Sequence, residues 1–383
     1  MSSRPKVTIF APTPVGGLAE HVHYQASELQ SQGIATTVLA SPDFIGGREG
    51  TYQKVDLFPS SNTKKSILAK ILRKLQMVRA YRLLRNWISR HPTDLLLLES
   101  FSEYLSPFWV HHLVALKRGE ITIGANLHDP VRNFVVGPRW WHVWSVKLAY
   151  KPIDFVLVHQ PIPPEAGVPE RVLAHEVPVG IYKDNTASID KMEAKRLLKI
   201  PQEARTFLSF GFIRDNKNLD LFIQAMPGFP DIYLVVAGRN QSQSDKPIDY
   251  YRSLAKELGV DDRIRFDTHF ISNEEVPIYF SAADQILLTY SNQFRSQSGV
   301  LCIAGNYRKP VFASSAESPL KDCVERFNLG TFVEPDKVDQ IVKGLGLPRE
   351  PSDRDWDGFF NYSSWSTNVA PIKSLLKATK VAP

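Results

Sequence analysis

Short apolar runs alternate with amphipathic stretches along most of the chain. Brief clusters of Val, Ile, Leu and Phe predict strands over 7–11, 34–40, 94–98, 120–127 and 154–159. Apolar residues at helical spacing predict a helix over 18–32, which Gly33 ends. A second series begins near Arg205, with strands expected over 206–211, 232–237, 264–267, 285–289 and 310–313. Helices over 218–226, 247–258, 274–282 and 299–307 fall between them. Strands that alternate with helical segments pair in parallel through crossover helices. The stretch 161–188 is rich in Pro and Gly and reads as the connection between the series. The expected fold class is α/β, with two parallel sheets that carry helices on both faces. Domains are expected over 1–180 and 181–361, with a final helix over about 362–383 returning to the first.

Two segments break this rhythm. Residues 64–90 hold nine Lys or Arg and no acid, and their apolar residues recur at helical spacing. They predict one or two basic amphipathic helices, including Lys70, Arg73 and Lys74. Such a helix is either a solvated face or a surface for an anionic bilayer, with Leu, Ile and Trp inserted. Residues 139–150 combine Trp140, Trp141, Trp144 and Tyr150 with Arg139, His142 and Lys147. Those aromatic faces suit a saccharide groove, a membrane interface or a core.

Length supports the division into two domains, since 383 residues exceed one ordinary core. The two cysteines, Cys302 and Cys323, argue against a disulfide framework and fit a reducing cytosol. No Cys/His spacing suggests a zinc site, so no metal is expected. The N-terminus enters a strand almost at once and lacks the form of a signal peptide. No apolar run approaches the roughly eighteen residues of a membrane span. The expected location is cytoplasmic, with possible peripheral attachment to the membrane. The net charge of +6 favours anionic partners such as phosphates or acidic lipids. Nucleic acid is not expected, because neither basic segment sits in a reader motif.

Three segments could hold a phosphate. The first strand ends in Pro12-Thr13-Pro14-Val15-Gly16-Gly17, where paired glycines admit a ligand to the backbone and a helix start offers N–H groups. The acid that would complete a dinucleotide fingerprint after the second strand is missing, and a plain tight turn would use the same residues. The second series opens with Gly211-Phe212-Ile213-Arg214-Asp215-Asn216-Lys217, which puts two cations at a strand's carboxyl edge. Tyr290 then leads to Ser298-Gly299-Val300-Leu301, where Ser298 is a plausible N-cap and Gly299 removes bulk at a helix start.

In this order the three segments resemble the GT4-like glycosyltransferases, whose GT-B fold has two facing Rossmann-like domains that clasp a nucleotide-sugar. Pro14-Val15-Gly16-Gly17 is similar to the family's glycine loop, and the 211–217 segment to its diphosphate-binding Arg/Lys pair. Ser298-Gly299-Val300-Leu301, followed by Arg308-Lys309-Pro310-Val311, is similar to its donor-binding helix and next strand. Val177-Pro178-Val179-Gly180-Ile181-Tyr182 resembles its interdomain crossing. Asn328-Leu329-Gly330 and Trp365 also take family positions. The chain departs from the family at Arg295 and Ile303, where many members carry a pair of glutamates.

The resemblance implies an acceptor-side first domain and a donor-binding second domain. Donor contacts are expected from Gly16, Gly17, Arg214, Lys217, Tyr290, Ser298, Gly299 and Val300. His128 matches a family histidine near the transferred sugar, with Asp129 beside it to orient it or bind acceptor. Trp140, Trp141, Lys70, Arg73 and Lys74 are candidates for acceptor or membrane contact. Glu99 and Glu103 could serve as acceptor-side carboxylates, and His21, near the glycine loop, is a minor candidate. The expected reaction moves a sugar from an NDP-sugar to a lipid-linked or saccharide acceptor, retaining and without metal or other cofactor. The alternatives are a catalytically silent binding protein of the same fold and an NDP-sugar epimerase.

Overall fold

The computed structural model describes residues 4–44, 52–60, 67–119, 121–128, 137–181, 189–240, 242, 244–348 and 353–381, with the backbone alone at 67–71, 73 and 379–381. The chain divides into two compact units. One comprises Met1–Gly180 with Ser363–Pro383, and the other Ile181–Tyr362.

The first unit is built on a parallel sheet of seven strands. They are β1 (Lys6–Phe10), β2 (Ala35–Ala40), β3 (Gln53–Asp56), β4 (Leu95–Leu98), β5 (Thr122–Leu127), β6 (Phe155–Val158) and β7 (Leu173–Glu176). Their order is β3-β2-β1-β4-β5-β6-β7. Its helices are α1 (Gly17–Ser31), α2 (Ile67–Ile88), α3 (Ser106–Leu116), α4 (Arg139–Ala149) and, from the far end of the chain, α13 (Trp365–Val381). The run of four leucines in β4 shows why a strand buried on both faces reads as continuously apolar. Leu96 and Leu98 pack with Tyr81, Leu84, Trp109 and Leu113 beneath α2 and α3. Leu95 and Leu97 face the other way, onto Val22, Ala26 and Leu29 of α1 and Val369 and Ile372 of α13.

The second unit carries a parallel sheet of six. Its strands are β8 (Arg205–Phe210), β9 (Ile232–Ala237), β10 (Ile264–Asp267), β11 (Gln285–Thr289), β12 (Val311–Ser314) and β13 (Gly330–Phe332). The order is β10-β9-β8-β11-β12-β13. Helices α5 (Lys191–Leu197), α6 (Leu219–Ala225), α7 (Ile248–Glu257), α8 (Val276–Ala282), α9 (Gly299–Asn306), α10 (Pro319–Arg326), α11 (Val338–Leu345) and α12 (Trp356–Tyr362) surround it. The expected fold class therefore stands.

Some elements escaped the apolar pattern. The stretch expected to be a connection contains β7, paired with β6 through Leu173 to Glu176. As an edge strand of sequence Leu-Ala-His-Glu, β7 shows little burial and so carries no apolar signature. Strand β3 is missed for the same reason, with sequence Gln-Lys-Val-Asp. The basic segment forms one helix where one or two were expected.

Candidate functional site

Each sheet reverses its winding direction once, and in open α/β sheets such a switch point opens a crevice at the strands' carboxyl edge. In the second unit the switch lies between β8 and β11. Beyond β8 the chain turns through Gly211, at φ 83°. Gly238, after β9, allows the two strand ends to close up, because a Cβ there would sit 2.0 Å from the Gly211 carbonyl oxygen. That turn brings the Lys217 ammonium back onto the Phe210 carbonyl, to which it donates at 2.6 Å. Thr289 at the end of β11 donates to the Lys217 carbonyl at 2.8 Å, and the Ser291 amide to that of Asn216 at 2.8 Å. The loop is thus pinned to both sides of the switch.

Lys217 is the electrostatically unusual group. Burial, and then the positive charge of Arg214, bring its ammonium down to about 7. A cation so displaced gains from any anion that replaces its lost hydration. Arg214 lies 5.8 Å from the Phe212 ring, and its Nε is buried without a hydrogen-bond partner among the described residues. Arg239, at the end of β9, was not expected at this edge. Its guanidinium stands 5.7 Å from the exposed Phe212 ring and 5.8 Å from the exposed Phe270 ring.

Ser298 occupies the N-cap position of α9 but does not cap it. Its hydroxyl lies 3.0 Å from that of Tyr290, whose ring is buried and stacks on Phe294. The N-cap role expected of Ser298 is therefore corrected, because the hydroxyl is taken up elsewhere. Gly299 and Val300 form the first turn of α9, where no side-chain cap competes for the amides. Tyr290 reaches this site through Ser298 and not by an exposed phenol.

In the first unit the switch lies between β1 and β4. Gly16 takes φ 84° at the N-cap of α1, a conformation that favours glycine, and Gly17 opens the helix. Directly after β4, β5 and β6 stand Glu99, His128 and His159, and His21 enters the same group from α1. His128 Nε2 lies 2.8 Å from Glu99 Oε1, and Asn126 donates to the other carboxylate oxygen. His128 Nδ1 lies 3.3 Å from His159 Nε2, while His159 Nδ1 lies 2.9 Å from the Val177 carbonyl. His21 is only 2% exposed and Glu99 1%.

Burial pushes the Glu99 carboxyl up, yet the charge and hydrogen bonds of its histidine neighbours outweigh it and bring it to about 2. Burial pushes His21 down and holds His159 at about 3, so both rings are neutral near pH 7. With His21 neutral, the hold on Glu99 falls to His128. His128 Nε2 is thus engaged by Glu99, and its Nδ1 faces His159 Nε2.

Glu103 is buried, and Asp129 lies outside the described residues. The side chains of Lys70 and Arg73 do as well, while Lys74 is exposed with its ammonium 5.5 Å from the Tyr104 ring. Trp141 donates its indole N–H to the Tyr104 carbonyl at 3.0 Å. Tyr150 is buried in the core, whereas Trp140 is 67% exposed and Trp144, Phe108, Leu72 and Leu75 also face solvent, so core packing accounts for Tyr150 but not for Trp140 or Trp144. No described helix is long and apolar enough to cross a membrane.

Residues 190–347 match the family model described as Glycosyl transferases group 1. No curated protein matches the chain. Among solved structures, the sucrose-phosphate synthase of Thermosynechococcus elongatus aligns with TM-score 0.72 at 15% identity, covering 99% of this chain and 100% of that one. A glycosyltransferase from Rickettsia africae gives TM-score 0.73 at 13% identity, with 99% and 100% coverage. HepE from Anabaena, solved with UDP and glucose, gives 0.69 at 15% identity, with 98% and 100% coverage. At such identities these structures establish the fold. The chain thus has the GT-B fold of those glycosyltransferases, and within its second unit residues 190–347 are similar to the glycosyl transferases group 1 family.

Proposed function

We propose that the protein transfers a sugar from a nucleoside-diphosphate sugar to a saccharide or lipid-linked acceptor, in the synthesis of cell-surface polysaccharide or glycoconjugate. One observation carries this reading. Arg214 and the desolvated Lys217 stand at the switch point of the second sheet, with Lys217 clamped to β8 and β11. When the bond from sugar to diphosphate breaks, negative charge grows on the departing phosphate. Cations and amides already aimed at that charge stabilise it without reorganising at the moment of reaction. The first-turn amides of α9 add to the same field, because Ser298 leaves them uncapped. Side-chain cations thus take the part that a metal plays elsewhere. The solved complex of HepE with UDP supports a nucleotide donor.

The first unit serves the acceptor, with the polar group around His128 at its sheet edge. The second glutamate of the family pair usually holds the donor ribose, and with Arg295 and Ile303 at those positions that contact comes from other residues. A retaining outcome follows from the family resemblance. The exposed aromatic and basic face of α2 and α4 serves attachment to anionic lipid at a cytoplasmic membrane surface.

The test is turnover of UDP-, GDP- and ADP-sugars by the full chain, with and without saccharide acceptors. Acceptor-dependent release of nucleoside diphosphate, lost in Lys217→Ala, supports the reading. Conversion of the donor sugar without any acceptor would make the protein an epimerase. Failure to bind any nucleotide would leave a partner-binding role.

A further inference from the structure

The side-chain group at the carboxyl edge of the first sheet poses a question of hydrogen placement. The Val177 carbonyl can only accept, so His159 Nδ1 carries the hydrogen and its Nε2 presents a lone pair. The Glu99 carboxylate accepts at 2.8 Å, so His128 Nε2 carries a hydrogen and, in the neutral ring, Nδ1 presents a lone pair. Those two lone-pair nitrogens stand 3.3 Å apart and face each other. Two acceptors in that relation require a cation between them.

A shared proton would satisfy that pair but would leave His21 unexplained. His21 is 2% exposed, and neither of its ring nitrogens has a hydrogen-bond partner among the described residues. Its Nδ1 lies 3.4 Å from Glu99 Oε1 without the alignment of a hydrogen bond. Buried polar groups of this kind call for a partner. One nitrogen from each of His21, His128 and His159 lies within 4.8 Å of the other two.

We infer that His21, His128 and His159 form a binding site for a divalent transition-metal ion of the zinc class. Zinc binds histidine nitrogen at about 2.0–2.1 Å, which in a tetrahedral shell separates two ligand nitrogens by about 3.3 Å. The spacing between His128 Nδ1 and His159 Nε2 is that edge. The outer nitrogens of both rings are anchored, one on a carboxylate and one on a backbone carbonyl, as metal-binding histidines generally are. Neutral imidazoles suit zinc, copper, iron or nickel over magnesium or calcium. Glu99 supplies negative charge from behind His128 without occupying a metal position. Three protein ligands leave a fourth position for water or a substrate hydroxyl. This ion site uses none of the diphosphate-binding groups and does not depend on the transfer reaction.

The experiment is titration of the full, chelator-stripped chain with Zn2+ by calorimetry, beside His159→Asn and Glu99→Gln. The expected result is one equivalent bound below micromolar concentration. His159→Asn should weaken it at least a hundredfold, and Glu99→Gln about ten- to a hundredfold. Imidazole nitrogen NMR of the unmutated chain gives an independent readout, in which Zn2+ shifts three histidines together. Absence of binding at 100-fold excess Zn2+ would overturn the site and leave the shared proton. Binding that neither substitution weakens, with no shift of three histidines together, would overturn it as well.

Discussion

Ser298 turns its hydroxyl onto Tyr290, 3.0 Å away, and leaves the helix that it precedes without a side-chain cap. A serine in this position ordinarily gives about 1 kcal/mol to its helix by accepting from an early amide. Here Tyr290 holds that oxygen away, so the amides stay available to an anion. Tyr290→Phe should release Ser298 to cap α9. Nucleoside-diphosphate affinity is then expected to fall about fivefold, with folding stability changed by no more than about 1 kcal/mol. Calorimetric titration and thermal melts of the same variant separate the two effects. Undiminished affinity would show that the amides of α9 do not meet the diphosphate.

Lys217 gives the binding reaction a pH dependence. Its pKa of about 7 means that the ammonium is charged below neutrality and discharged above it. A diphosphate prefers the charged form, so affinity should decline as pH rises from 6.5 to 8.5, and binding at the alkaline end should take up a proton. Lys217→Ala should lose more than tenfold in affinity, at about 1.4 kcal/mol per tenfold, and flatten the profile. Calorimetry in buffers of different ionisation enthalpy measures the proton uptake directly. An unchanged proton count in Lys217→Ala would move the assignment to another group.

Much of this architecture was legible because strands buried on both faces are short, apolar and bounded by turn residues. The four leucines of β4 and the Val and Ile of β9 signal themselves. Edge strands β3 and β7 do not, since one flank lacks a neighbour and their side chains stay polar or exposed. At the second sheet, Arg214 and Lys217 were visible as cations after a strand-end glycine. Arg239 was not, because it follows a different strand and meets Phe212 only through the parallel pairing of β8 and β9. The polar group at the first sheet was hidden for the same reason. His21, Glu99, His128 and His159 are far apart along the chain; the sheet order brings Glu99, His128 and His159 to one edge, and α1 adds His21. A histidine directly after β6, repeating the place of His128 after β5, was the available sign.

The first unit presents a surface whose composition can be tested against lipid. Leu75 is 61% exposed on α2, and Trp140, Val143 and Trp144 are exposed on α4. Lys74, Tyr104 and Trp141 link the two helices through a cation–ring contact and an indole hydrogen bond. Apolar side chains between basic ones insert into an anionic interface and are held there by charge. Sedimentation with vesicles containing anionic lipid should therefore capture the protein, less so as salt is raised. Trp140→Ser combined with Trp144→Ser should reduce capture about tenfold, because each ring gives up its interfacial anchor. Equal capture by neutral and anionic vesicles would contradict this role.

Gly180 and Trp365 make the last argument, about how the returning helix α13 is held on the first unit. A Cβ on Gly180 would lie 2.2 Å from Cε2 of the Trp365 ring, so only glycine permits the indole to lie where it does. On its other contacts that ring stacks on Tyr24 at 5.6 Å and stands edge-on to His21 at 5.1 Å. It cannot move aside without disturbing α1. Gly180→Ala should therefore cost about 1–3 kcal/mol, as overpacking of a filled site does. For a unit of this size that lowers the melting temperature by several degrees, about 2–4 °C per kcal/mol. The displaced indole should also change its fluorescence maximum. Trp365→Leu removes the clash, so the double variant should be less destabilised than the sum of the single changes. Strict additivity in that cycle would mean that Gly180 and Trp365 do not press on one another in solution.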